Sequence, residues 1–302
     1  GYLWWCGMEH LKLTQSPYCW SLMERQLGLL DVNRQPKPVA LAMKDVSSLL
    51  DRLPAFGSKE TQAIVLLPHD SEKQNKATSC AMLAKQAGFN VLIRNSEELP
   101  EDAPLYIIPS ISGWAPLNSN PWNHLLAKVR QGADLYVSFD GGSMTEFEEV
   151  FGLESRGMVK NGPSHTAQFP FGAIAYTPAF DMHVTSVGAQ VLAANEEGNP
   201  VFTRNRYGRG NIYFLGFPVE QVSSMQTYGF CPEKTQPYYR IYQCFAESAS
   251  KASLICTENP YLGVTQSRQA DGSYLVAVLN YGDQPAPYDG KLKDGWQAQV
   301  LY

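Results

Sequence analysis

Apolar positions recur along this chain in two rhythms, and the change falls near residue 60. Residues 1–10 open on Gly-Tyr-Leu-Trp-Trp-Cys and predict a buried strand. Residues 11–19 hold Thr14, Gln15, Ser16 and Pro17 and predict a loop. Near-helical spacing returns over 18–27 and ends at Gly28; a turn-rich stretch, 31–38, follows. Residues 39–53 predict an amphipathic helix on Val39, Leu41, Ala42, Val46, Leu49, Leu50 and Leu53, stopped by Pro54. The stretch 55–62 reads as a linker.

Beyond it, short apolar runs alternate with helical patterns. Strands are predicted at 63–67, 89–93, 105–109 and 135–139. Helices are predicted at 70–87, 120–131 and 144–151, stopped by Gly88, Gly132 and Gly152. Such alternation predicts a parallel sheet with helices on its faces. Residues 158–205 are β-like and irregular, 207–216 read as a turn feeding a strand, and 237–250 as a helix. From 253 onward, alternating runs flank Asp271-Gly272 as a hairpin of a small β domain. The sequence holds neither internal repeats nor low-complexity segments.

Composition narrows the function classes. With 44% apolar and 12% aromatic residues, the 302-residue chain has the material for packed cores, which excludes disorder. Acidic residues outnumber basic ones 29 to 24 without a Lys/Arg cluster, against a nucleic-acid binder. No apolar run approaches the roughly 18 residues of a membrane span. A prior of about 150 residues per domain gives two or three domains. The six cysteines have no zinc-type or C-x-x-C spacing and read as buried free thiols rather than a disulfide framework, leaving the compartment open.

Candidate chemistry concentrates at the start. Trp4 and Trp5 are adjacent in a predicted strand and point to opposite faces. With Glu9, His10, Tyr18 and Trp20 they form an aromatic and polar set suited to stacking sugar rings and bonding hydroxyls; the alternative is that they are core aromatics. Cys80 falls inside a helix, whereas a nucleophile elbow needs a strand-to-helix turn. The stretch Pro109-Ser110-Ile111-Ser112-Gly113, where an elbow would fall, carries no Cys and no G-x-S-x-G. Asp140-Gly141-Gly142-Ser143 follows a strand, where open α/β sheets bind ligands, but reads as a glycine turn with Ser143 capping the next helix. Gly208-Arg209-Gly210 precedes a strand and is no dinucleotide fingerprint. His69, His124, His165 and His183 are isolated, and Glu148-Glu149 reads as a solvated helix face.

Four groups of residues carry a family resemblance. The opening Gly-Tyr-Leu-Trp-Trp-Cys is similar to the last strand of a (β/α)8 barrel. Glu24-Arg25 through Leu29-Leu30-Asp31, followed by Lys37-Pro38, resembles the last barrel helix region. Segments 128–140, 151–153 and 208–216 resemble an α/β domain, and Leu279-Asn280-Tyr281 a C-terminal β domain. Together they resemble the C-terminal part of the β-galactosidase-like group of barrel glycoside hydrolases that carries an amidotransferase-like trimerisation domain.

The resemblance implies an α/β fold in three parts: the end of a TIM barrel over 1–57, a flavodoxin/amidotransferase-like parallel α/β domain over 58–252, and an incomplete antiparallel β domain over 253–302. It implies a parent that cleaves β-glycosides with retention, its two catalytic carboxylates lying upstream of Gly1. This chain alone is then expected to be inactive. Trp4, Trp5, Glu9, His10 and Tyr18 are the expected substrate-binding residues, at the C-terminal end of the eighth strand. The expected partners are an oligo- or polysaccharide and a second copy bound through the α/β domain. Nucleic acid, membrane, metal and cofactor are not expected. Two rivals stand beside it: a non-catalytic assembly or carbohydrate-interaction module, and an amidotransferase-like enzyme with a site near Asp140 or Ser110.

Overall fold

A computed structural model describes all residues except 1–3, 5, 11, 58, 70–72, 115, 252, 289 and 302, together with the side chains at 22 and 24. Internal contacts divide the chain into two units, 1–56 with 299–302, and 57–298.

In the first unit, α1 spans Leu22–Gln26 and α2 spans Pro38–Leu50. Pro38 suits the first turn of α2, where its missing N–H has no partner to lose. The predicted strand over 1–10 is reduced, among the described residues, to a single parallel bridge between Met8 and Leu30. The crossing is close: a Cβ on Gly28 would stand 2.2 Å from the Glu9 nitrogen.

The second unit is built on one nine-stranded sheet. Its parallel half consists of β1 (Ala63–Leu67), β2 (Val91–Asn95), β3 (Leu105–Ile111) and β4 (Asp134–Phe139), joined by α3 (Lys73–Gln86) and α4 (Ser119–Gln131). Every residue of β1, β3 and β4 is buried, because helices cover both faces, so these strands read as largely apolar runs. Alternation then sorts their side chains. Val65, Ile107 and Tyr136 pack with Cys80 and Leu83 of α3 on one face; Ile64, Tyr106 and Val137 pack with Trp122 and Leu126 of α4 on the other. Each such apolar side chain stabilises the fold by about 1.5–3 kcal/mol. α4 stops at Gly132, whose φ of 123° no other residue adopts readily.

After α5 (Phe147–Phe151) the chain turns antiparallel: β5 (Leu153–Lys160), β6 (His165–Phe169), β7 (Gly172–Tyr176), β8 (Phe180–Ser186), β9 (Gln190–Ala194) and β10 (Pro200–Tyr207). β11 (Gly210–Leu215) then returns parallel to β4. The sheet order is β2-β1-β3-β4-β11-β10-β9-β6-β7, while β5 and β8 form a separate ribbon. Its first five strands follow the doubly wound order 2-1-3-4-5. The predicted helix over 237–250 is broken in two. After α6 (Val219–Met225) come α7 (Tyr239–Gln243) and α8 (Glu247–Ser250), parted where Phe245 stacks on Tyr136 at 4.1 Å. β12 (Ile255–Cys256) pairs with β15 (Lys291–Leu292). The predicted hairpin is β13 (Leu262–Arg268) with β14 (Tyr274–Asn280), turning at Asp271-Gly272.

Candidate functional site

The bridge at Met8 positions the first candidate set. Glu9 N–H donates to the Leu30 carbonyl at 3.0 Å, and His10 N–H to the Arg25 carbonyl at 2.9 Å. The Glu9 carboxylate is held by the Lys37 ammonium at 2.7 Å, which also donates to the Gln26 carbonyl. Trp4 is anchored at one edge only: its indole N–H donates to the Leu27 carbonyl at 2.8 Å, while the residue stays 43% exposed. Tyr18 and His10 are half-buried, and their side chains make no hydrogen bond among the described residues. Trp5 lies outside the described residues. Trp20 is 73% exposed. The set thus offers an exposed indole face and a carboxylate already neutralised by a cation. Lys37 was not among the expected site residues; its signal was the Lys-Pro pair at the start of α2.

The C-terminal edge of the parallel strands holds a second, buried set. β3 breaks register between Ile108 and Ile111, with Pro109 at the irregularity, and Ser110 there takes a left-handed φ of 44°. Its hydroxyl donates to Glu220 of α6 at 2.8 Å, and its N–H to the Ser138 hydroxyl at 2.6 Å. Glu220 also accepts from Ser138, from Tyr136 at 3.1 Å and from Tyr242 at 2.9 Å. The Lys76 ammonium donates to the Ser110 carbonyl at 2.7 Å. Ser110 and Glu220 are fully buried and Lys76 nearly so. The Cys80 thiol lies 3.3 Å from the Tyr242 hydroxyl; burial first, then the Glu220 carboxylate, pushes its pKa well up. A hydroxyl without solvent contact and a thiol kept protonated are not placed to attack a substrate.

The Asp140–Ser143 turn closes on this edge instead of opening a site. Asp140 and Gly142 N–H groups donate to the Ile111 carbonyl at 2.8 and 3.0 Å, and Ser143 N–H donates to Gly113 at 2.9 Å. Ser143 does not cap α5, which starts four residues later without a side-chain cap. All six cysteines are free, but only Cys80 is buried; Cys19 and Cys256 are exposed. Among the described residues, no group of three His, Cys, Asp or Glu side chains is placed to hold a metal. No helix is long and apolar enough to cross a membrane. His165, isolated in sequence, is buried between Asp181 (Nε2, 3.1 Å) and Glu196 (Nδ1, 3.0 Å).

No protein-family model and no curated protein matches the sequence. Solved structures do match. An exo-β-1,4-mannosidase from Opitutaceae bacterium strain TAV5 superposes with a TM-score of 0.61 at 20% identity, over 81% of this chain and 45% of its own. A cold-adapted β-galactosidase from Rahnella sp. R3 gives 0.62 at 14%, over 86% and 42%. A β-galactosidase from Bacillus circulans sp. alkalophilus gives 0.60 at 14%, over 91% and 43%. The chain has the fold of part of these glycoside hydrolases and spans less than half of their length.

Proposed function

We propose that this chain forms the C-terminal part of a retaining glycoside hydrolase acting on β-linked sugars. The observation that carries this reading is the likeness along 81–91% of the chain to β-glycosidases of which it covers only 42–45%. In this reading, 1–57 supply the last strand and helix of a (β/α)8 barrel, 58–252 an amidotransferase-like domain without catalysis of its own, and 253–302 a small β domain. The face of α2 supports it: no residue of this amphipathic helix is buried, and Val46 and Leu50 stay 43% exposed, as expected of a helix whose apolar side is covered by further barrel sequence.

The chemistry would then run on two carboxylates about 5–5.5 Å apart, one attacking the anomeric carbon and the other protonating the leaving oxygen. In this reading both lie in barrel sequence outside these 302 residues. The exposed Trp4 ring floors the sugar subsite, with Glu9, His10 and Tyr18 around the hydroxyls. The α/β domain supplies the contact between copies.

A polypeptide joining this chain to its barrel is expected to release nitrophenol from β-galactoside or β-mannoside substrates, and the 302 residues alone to release none. Trp4→Ala in the joined protein should raise KM by about tenfold, the worth of one aromatic stacking contact. Turnover by the isolated chain would overturn the proposal.

A further inference from the structure

At the opposite, N-terminal edge of the parallel strands, a recess of about 570 Å³ is walled by β10, β11, the start of β4 and α8. Strand alternation puts Arg204 and Arg206 on the same exposed face of β10. Arg209 joins them from the turn between β10 and β11, and two close approaches fix that turn. A Cβ on Gly208 would meet the Arg130 Cα at 2.6 Å, and one on Gly210 the Ala133 carbonyl oxygen at 1.8 Å.

The charges do not cancel. Lys251 pairs with Glu247 at 3.2 Å. Asp134, the other carboxylate of the wall, accepts from the Asn211 N–H and side-chain amide at 3.0 and 2.9 Å. The guanidinium of Arg204 donates to the Gln190 side-chain amide oxygen at 2.6 Å and that of Arg206 to the Gly208 backbone carbonyl at 3.1 Å, both neutral acceptors. Among the described residues, none of Arg204, Arg206 and Arg209 has a carboxylate within ion-pair distance. Three like charges facing one concavity raise each other's energy and favour an anion that enters. The Ser248 hydroxyl in the same wall is buried without a hydrogen-bond partner among the described residues.

We propose that this recess is a binding site for a multiply charged oxyanion, a ligand bearing phosphoryl or carboxylate groups. Its volume suits a small molecule, and guanidinium forks grip two oxygens of such a group at once. The site is distinct from the sugar-stacking set around Trp4 and does not depend on glycosidase activity.

Calorimetric titration of the 302-residue chain at low ionic strength tests it, with pyrophosphate, trigalacturonate and a neutral trisaccharide as probes. One of the two anions should bind one to one with a Kd below millimolar, and the tighter one names the source, phosphoryl or carboxylate. Arg204→Gln, Arg206→Gln and Arg209→Gln should each weaken it by about tenfold. Arg206→Lys, which keeps the charge but loses the fork, should weaken it too. Arg156→Gln removes an exposed guanidinium paired with Glu154 on the separate β5–β8 ribbon and should change nothing. The three site arginines are exposed, so unchanged circular dichroism is expected throughout. No binding by either anion, equal binding of the neutral sugar, or equal loss in Arg156→Gln overturns the site.

Discussion

The Ser110 hydroxyl donates to the Glu220 carboxylate at 2.8 Å, and neither residue touches solvent. Three more hydroxyls, from Ser138, Tyr136 and Tyr242, converge on the same two oxygens. Glu220 therefore ties β3, β4, α6 and α7 together at the edge where open α/β sheets place their ligands. Its removal leaves four buried hydroxyls without their acceptor. Glu220→Ala should lower the urea unfolding free energy by about 3 kcal/mol or more, and Glu220→Gln by about 1–2, since the amide keeps one acceptor oxygen. Equal, negligible losses in both variants would show that the network does not hold the edge.

The same burial predicts a labelling pattern. Iodoacetamide on the native chain should modify Cys19 and Cys256, which are exposed, and spare Cys80, whose thiol is both buried and pushed well above its ordinary pKa. An electrophilic glutamine analogue should likewise leave Cys80 and Ser110 unmodified. Mass spectrometry of the digested protein reads both, and native labelling at Cys80 or Ser110 would revive amidotransferase chemistry.

How far the sequence led depends on where each strand's constraints come from. β1, β3 and β4 were legible because burial on both faces writes a largely apolar run. Residues 158–205 were only β-like, since β5 to β10 are partly exposed strands whose register is set by distant partners, β9 against both β10 and β6. The break between α7 and α8 was invisible because Phe245 is placed by Tyr136, more than 100 residues away. Of the first candidate set, Glu9 was legible as a carboxylate past an apolar run, but its Lys37 partner is fixed by the chain crossing at Gly28. The Glu220 cluster left no local signal at all, because its members come from separate elements.

His165 gives a pH dependence with a defined sign. Burial opposes its imidazolium, but the hydrogen bonds it donates to Asp181 and Glu196, then their charges, raise its pKa above the ordinary value near 6.5. His183, 3.6 Å from Asp181, and the Tyr176 ring complete its surroundings. A raised folded pKa stabilises fully below about 6.5, and that contribution is lost as pH rises through the folded value. Glu196 is held below the usual carboxylate range by the Thr166 N–H and by His165, so its contribution is lost as pH falls through its folded value, below about 4.5. Urea midpoints should therefore fall between pH 6 and pH 8.5, and His165→Gln should flatten that fall. An unchanged slope in the variant would remove His165 as its source.

Two glycines separate conformation from space. Gly272 of the β13–β14 turn has φ of 86° with open space around its missing side chain. Gly272→Ala therefore carries only the cost of a left-handed alanine, about 1 kcal/mol, and should leave the fold intact. Gly210 begins β11 with no such φ, but a Cβ there would stand 1.8 Å from the Ala133 carbonyl oxygen and 2.6 Å from that of Val129. Both obstacles are backbone, so relief requires β11 to move away from the end of α4. The Ile212–Leu135 register and the Asp134–Asn211 hydrogen bonds would have to shift with it. Gly210→Ala should cost about 3 kcal/mol or more, several times the Gly272 value, in paired urea titrations. It should also weaken anion binding, because the turn that aims Arg209 is built on this contact. Equal stability losses in the two variants would mean that β11 yields freely, and that the arginine turn is not held by Gly210.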